Sequence, residues 1–167
     1  MKTFSDNQGR TWTVTINVEC IKRVKTLLGV NLLDAIEGEL VERLVTDPVL
    51  LCDCVYAVCK PEAEARGITD EDFGRAMAGD AIEHACTALL EELVDFFPEP
   101  KRRVLAKAIE RLRQLEAKAI QLASARLDDP QWEAKIAEAM AEIELPRETP
   151  GDSSGSWPES SASTPAG

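Results

Sequence analysis

Cys52, Cys54 and Cys59, with His84 and Cys86 further along, are the residues of this 167-residue chain whose types suit a metal ion or a thiol nucleophile. Their spacing argues against both. On one helix, positions two apart point about 200° from each other, so Cys52 and Cys54 cannot face a single ion. Cys52 and Cys59 share a face but stand two turns apart. No serine or cysteine beside His84 carries a nucleophile signature. The thiols therefore read as small buried hydrophobes, and His84 as a structural histidine. Asp53 is the one charge in its stretch; it is a buried acid with a raised pKa, or it lies on an exposed strip or pairs with an arginine, and the last two readings are favoured. The acidic pairs Asp70/Asp72 and Glu91/Glu92 lack the glycine and terminal glutamate of a calcium loop. No glycine-rich phosphate cradle is present. Catalytic residues, cofactor-binding residues and metal ligands are accordingly assigned to no position.

The element that must position these residues is the stretch DPVLLCDCVYAVCKP, residues 47–61. Asp47 suits an N-cap and Pro48 the first turn, where a missing N–H costs nothing. Every residue from Val49 to Cys59 except Asp53 is apolar or a thiol, which predicts a buried central helix. Lys60-Pro61 is expected to stop it. At about eleven residues it is too short to cross a bilayer, which takes about 20.

Composition narrows the function classes. Against 30 Asp and Glu there are 19 Lys and Arg, a net charge of −11. An acidic surface argues against nucleic acid as the main partner. No run has transmembrane length and the N-terminus has no apolar signal region, so no membrane partner is expected. Five cysteines at apolar helical positions suit reduced thiols in a cytoplasmic compartment. Charge is segregated: residues 1–100 carry net −10, residues 101–127 net +6 and residues 128–167 net −7.

Around the central helix, residues 2–4 and 11–16 flank the turn signal Asp6-Asn7-Gln8-Gly9. Trp12, Val14 and Ile16 alternate onto one face, a small hairpin that is marginal alone and must pack on something. Asn17 and Gly29 bracket a helix through Ile21, Val24, Leu27 and Leu28. Asn31 caps a short segment around Leu32, Leu33 and Ile36, and Gly38 kinks the continuation to Val45. After Pro61 comes a short polar turn closed by Gly67. Thr69 opens a helix with Phe73 and Met77 on one side. Gly79-Asp80 opens another, ended by Pro98-Glu99-Pro100.

Residues 101–127 form the longest predicted helix. Leu105, Ala108, Leu112, Leu115, Ala119 and Leu122 recur at 3-4-3-4-3 spacing, a heptad-like seam ringed by Lys101, Arg102, Arg103, Lys107, Arg111, Arg113 and Lys118. Two readings stay open. The seam packs back on its own domain, or it forms a coiled-coil arm for self-association or a helical partner. Trp132, Ile136, Met140 and Ile143 mark one more amphipathic helix. From Pro146 on, the Ser/Pro-rich composition predicts a disordered tail in which Trp157 is incidental. The fold class is thus mainly α: a small N-terminal β-hairpin and compact multi-helix domain over 1–98, a basic long helix and an amphipathic helix over 99–145, and a disordered tail over 146–167.

The order of these features, with the phrases LLGVNLLD, DPVLL, ITDEDFGRAM and LLEELVDFF, resembles the tail assembly chaperones of siphophages and prophages, in the short form of a frameshifted pair. The resemblance covers residues 1–98, and the Ser/Pro-rich end resembles a linker before a frameshift extension. It implies a non-enzymatic protein of the bacterial host cytoplasm that binds the tape measure protein, keeps it soluble, helps recruit tail tube protein, and is absent from the mature virion. The alternatives are a virion structural or connector protein, and a coiled-coil adaptor that forms a homo-oligomer through residues 101–127.

Overall fold

The computed structural model describes residues 1–128 and 130–144. The tail from residue 146, with Trp157, lies outside the described residues, as does the side chain of Ile143. The chain forms two compact units, Met1–Ile120 and a second beginning at Gln121.

The first unit opens with a two-stranded antiparallel sheet, β1 (Lys2–Ser5) and β2 (Thr11–Val14), in the register Phe4↔Trp12. Helices follow: α1 (Val18–Leu28), a 3-10 turn (Leu32–Glu37), α2 (Glu39–Thr46), α3 (Pro48–Ala65), α4 (Asp70–Arg75), α5 (Asp80–Phe96) and α6 (Lys101–Leu127), of which residues 101–120 belong to this unit. α7 (Pro130–Glu144) belongs to the second unit. The caps follow local chemistry. Asn17 Oδ1 accepts from Cys20 N at 2.8 Å, Thr69 Oγ1 from Asp72 N at 3.2 Å, and Asp47 Oδ1 from Val49 N and Leu50 N at 3.0 Å each. Gly38 kinks the chain as expected, at φ +89°, where it ends the 3-10 turn and precedes α2. Phe73 is buried on α4, but Met77 lies past that helix's end, buried in the connection to α5.

α3 is the central helix, and it is longer than expected. Pro61 does not stop it; the helix continues to Ala65. A proline removes the N–H that would bond the carbonyl four residues back. That carbonyl, Ala57 O, instead accepts from Arg23 Nε of α1 at 2.8 Å, and Val58 O accepts from Arg23 Nη2 at 3.1 Å. A guanidinium from a neighbouring helix thus satisfies the group that Pro61 frees, and a kink signal becomes a helix–helix fastening.

The added turn has a use. Glu62 Oε2 accepts from Thr13 N at 2.9 Å, Arg66 Nη1 donates to Thr11 O at 2.9 Å, and Cys59 Sγ donates to Thr13 O at 3.5 Å. Two side chains of α3 and its C-cap residue Arg66 therefore cover the outer edge of β2, which would otherwise expose unpaired backbone groups. β1 is fastened to α5 by charge: the Met1 ammonium lies 2.6 Å from Glu92 Oε2, which is buried and has no other polar partner, and Lys2 Nζ lies 3.2 Å from Glu91 and 3.7 Å from Asp95. Phe4, Trp12, Val14 and Ile16 turn inward onto the helices, which supplies the packing a lone hairpin lacks.

Under the hairpin sits a polar centre at Asp6. Its fully buried carboxylate accepts from Trp12 Nε1 at 2.9 Å and Arg10 Nε at 2.6 Å through Oδ2, and from Gln8 N at 2.9 Å and Arg10 N at 3.0 Å through Oδ1. Trp12 is sealed between the Arg10 and Arg66 guanidinium groups, 5.6 and 5.0 Å from its ring centre, and meets Phe73 edge-on at 4.9 Å.

Candidate interaction grooves

The residues that suggested metal or thiol chemistry are held apart. Cys20, Cys54 and Cys59 are buried and Cys52 and Cys86 half-buried. Burial pushes the Cys52 and Cys86 thiols up to about 11 and the Cys54 and Cys59 thiols up to about 12, and it raises Cys20 as well. These groups stay protonated at neutral pH, whereas a nucleophile or a ligand must be a thiolate. His84 is exposed on α5 beside β1. Among the described residues no cluster of three or more His, Cys, Asp or Glu is placed to hold a metal ion. Asp53 is half-buried and forms no ion pair among the described residues; burial, then Asp70 and Asp47, raises its carboxyl above the ordinary value.

Thiol alkylation checks this placement. At pH 8 a thiol near 11 should react roughly 100-fold more slowly than a free cysteine, because its thiolate fraction falls by about that factor. Cys52 and Cys86 should label slowly in the native protein. Cys20, Cys54 and Cys59 should label only after denaturation, as read by peptide mass spectrometry.

The fold assembles apolar surface along α6. α6 lays Leu105 and Ile109 into the core, with Leu112 packed against it. This face steps by four and then three, and it shares Leu105 and Leu112 with the 3-4 seam read from sequence. Of the seam read from sequence, Leu105 is buried and Leu112 half-buried, while Ala108, Leu115, Ala119 and Leu122 are exposed. Ile109, outside that seam, was the missed contact; its i+4 spacing from Leu105 was the available signal.

Two openings flank the junction of α5 and α6, and Leu90 and Arg113 line both. The smaller, about 440 Å³, is lined by Val94, Ala106 and Ile109 together with Lys2, Glu91, Asp95 and Glu110. The larger, about 590 Å³, is walled by Val45 of α2, Leu51 of α3, Ile82 and Cys86 of α5, and Ala117 and Ile120 of α6, together with Glu83 and Glu116. Arg113 Nη2 donates to Thr87 Oγ1 at 3.2 Å and ties α6 to α5. Arg102 does the same at the helix start: its Nε and Nη2 donate to Phe97 O at 3.1 Å and Asp95 O at 3.0 Å, at the C-terminus of α5. The larger cleft thus presents aliphatic side chains from four helices together with carboxylates. Such a lining can hold an amphipathic segment with basic flanks.

Among the described residues, no helix is long and apolar enough to cross a membrane. Comparison with family models, with curated proteins and with solved structures gives no match to this chain.

Proposed function

We propose that this protein is a phage tail assembly chaperone, a non-enzymatic binder that keeps the tape measure protein soluble and helps recruit tail tube protein in the host cytoplasm. The observation that carries this reading is the 590 Å³ cleft, lined by aliphatic side chains of four helices and by Glu83 and Glu116. A long helical partner exposes apolar stripes before assembly, an aggregation hazard. Helix-in-groove contact masks such stripes, and many weak contacts along one filament give avidity that is still reversible. The resemblance of residues 1–98 to that family supports the same partner.

Co-expression with the tape measure protein from the same genome tests it. The tape measure protein should move from the insoluble to the soluble fraction only when this chain is present. Cys86→Arg, which fills the cleft and adds a cation, should reduce that rescue while far-UV circular dichroism is unchanged. A tape measure protein whose solubility is indifferent to this chain overturns the proposal. Mass spectrometry of purified particles separates it from a virion connector, which would remain in them.

A further inference from the structure

We infer that the outward face of α6 is a self-association surface that receives the α7 helix of a second copy of this chain. Val104, Ala108 and Leu115 lie on one exposed face of α6, at steps that place them along a single stripe. Lys107, Arg111 and Lys118 run down one flank of that stripe. Other cations of the helix are occupied: Arg102 by carbonyls, Arg103 by Glu99 at 2.9 Å, Arg113 by Thr87. Among the described residues, Lys107, Arg111 and Lys118 have no anionic partner. A cationic apolar stripe left open on a chain of net charge −11 is suited to an acidic amphipathic helix.

The chain carries such a helix. α7 exposes Trp132, Ile136 and Met140 at steps of four, one stripe of its surface. Glu133 flanks it. Residues 130–144 hold four glutamates and one lysine, net −3, against net +6 for residues 101–127. The lengths match as well: the α6 stripe from Val104 to Lys118 runs about 21 Å, and a 15-residue helix such as α7 spans about the same. Apolar stripe meets apolar stripe, with Glu133 beside the α7 stripe and the net charges of the two helices opposed. Because the two faces differ, the contact is heterologous. It either closes by reciprocal exchange between two copies or runs on from copy to copy. This surface is separate from the cleft between α5 and α6, so it stands or falls independently of the tape measure reading.

Sedimentation velocity on the full chain tests it, with far-UV circular dichroism as the control for folding. The wild type should associate beyond its 18.3 kDa monomer at low salt, and about 0.5 M salt should weaken the association by screening. Arg111→Glu/Lys118→Glu should weaken it at least tenfold, and so should Glu133→Lys/Glu138→Lys, which takes α7 from net −3 to +1. All four positions are exposed, so neither variant should unfold. An equimolar mixture of the two should associate more strongly than either alone, because the reversed α7 of one meets the reversed α6 of the other. A wild type that stays monomeric to about 100 μM, where a useful weak contact would already populate complexes, overturns the inference. Charge variants that associate like the wild type, or a mixture no different from its components, do so equally.

Discussion

Asp6→Ala should cost about 3 kcal/mol of folding stability, the range for removing one partner from a buried, charge-assisted network. The carboxylate has no exposure, and four donors point at it from Trp12, Arg10 and Gln8. Its loss leaves the indole N–H without an acceptor inside the core and the Arg10 guanidinium without its anion. Asp6→Asn should be about as harmful. An asparagine amide keeps one acceptor oxygen, but its NH2 group must then face donors at the other position.

The pH dependence has a definite sign. Burial by itself raises the Asp6 carboxyl, but the Trp12 and Arg10 side chains and the Arg10 and Gln8 backbone N–H groups outweigh it and hold it below the ordinary value. A carboxyl lowered on folding contributes stability that is fully present above its unfolded value, about 3.9, and lost as pH falls through its folded one. Urea denaturation followed by circular dichroism should therefore show wild-type stability falling below about pH 4 more steeply than that of Asp6→Ala. Parallel curves for the two proteins would show that the hub contributes no linkage.

Trp12→Ala should be at least as damaging, at about 4 kcal/mol, because it removes the largest fully buried side chain and opens a cavity beneath the hairpin. Phe73 loses its edge-on partner, and the Arg10 and Arg66 guanidinium groups lose the ring between them. For a unit of this size the loss corresponds to a melting temperature lower by about 15 °C. Trp12→Phe keeps most of the apolar area but removes the N–H donated to Asp6, and should cost about 2 kcal/mol. The two sites touch, so Asp6→Ala and Trp12→Ala should not add; the double variant should be less destabilised than the sum by about 1–2 kcal/mol. Full additivity would mean that the indole and the carboxylate act independently.

Most elements were legible because they are encoded locally. Asn17, Asp47-Pro48 and Thr69 each announce a helix start through a side chain that reaches two or three residues along the chain. The alternation of Trp12, Val14 and Ile16 announces a strand because a strand buries every second residue. The burial of Cys54 and Cys59 was legible too, since both stand in a run of apolar residues.

The misreadings share one cause. Pro61 reads as a stop from sequence because its local consequence is a lost hydrogen bond. The bond is replaced by Arg23, 38 positions earlier, and no window around Pro61 contains that arginine. Asp6 reads as one turn residue in a turn-rich run. Its role as hub needs the Trp12 indole turned back toward it and a core that excludes water. On α6 two neighbouring faces coexist in one sequence, Leu105-Ala108-Leu112 and Leu105-Ile109-Leu112. Which one is buried depends on the surface that the helix meets, and that surface is built by residues far away in the chain.

The sequence by itself therefore determined the helices, their caps, the hairpin and the segregation of charge, since each follows from interactions within a few residues. The tertiary structure alone decided which carbonyl accepts Arg23, which carboxylate anchors the hairpin, which face of α6 meets the core and where an apolar cleft opens. Those outcomes depend on groups far apart in the chain meeting where water is excluded, and there a single unsatisfied charge or carbonyl costs as much as several local preferences combined.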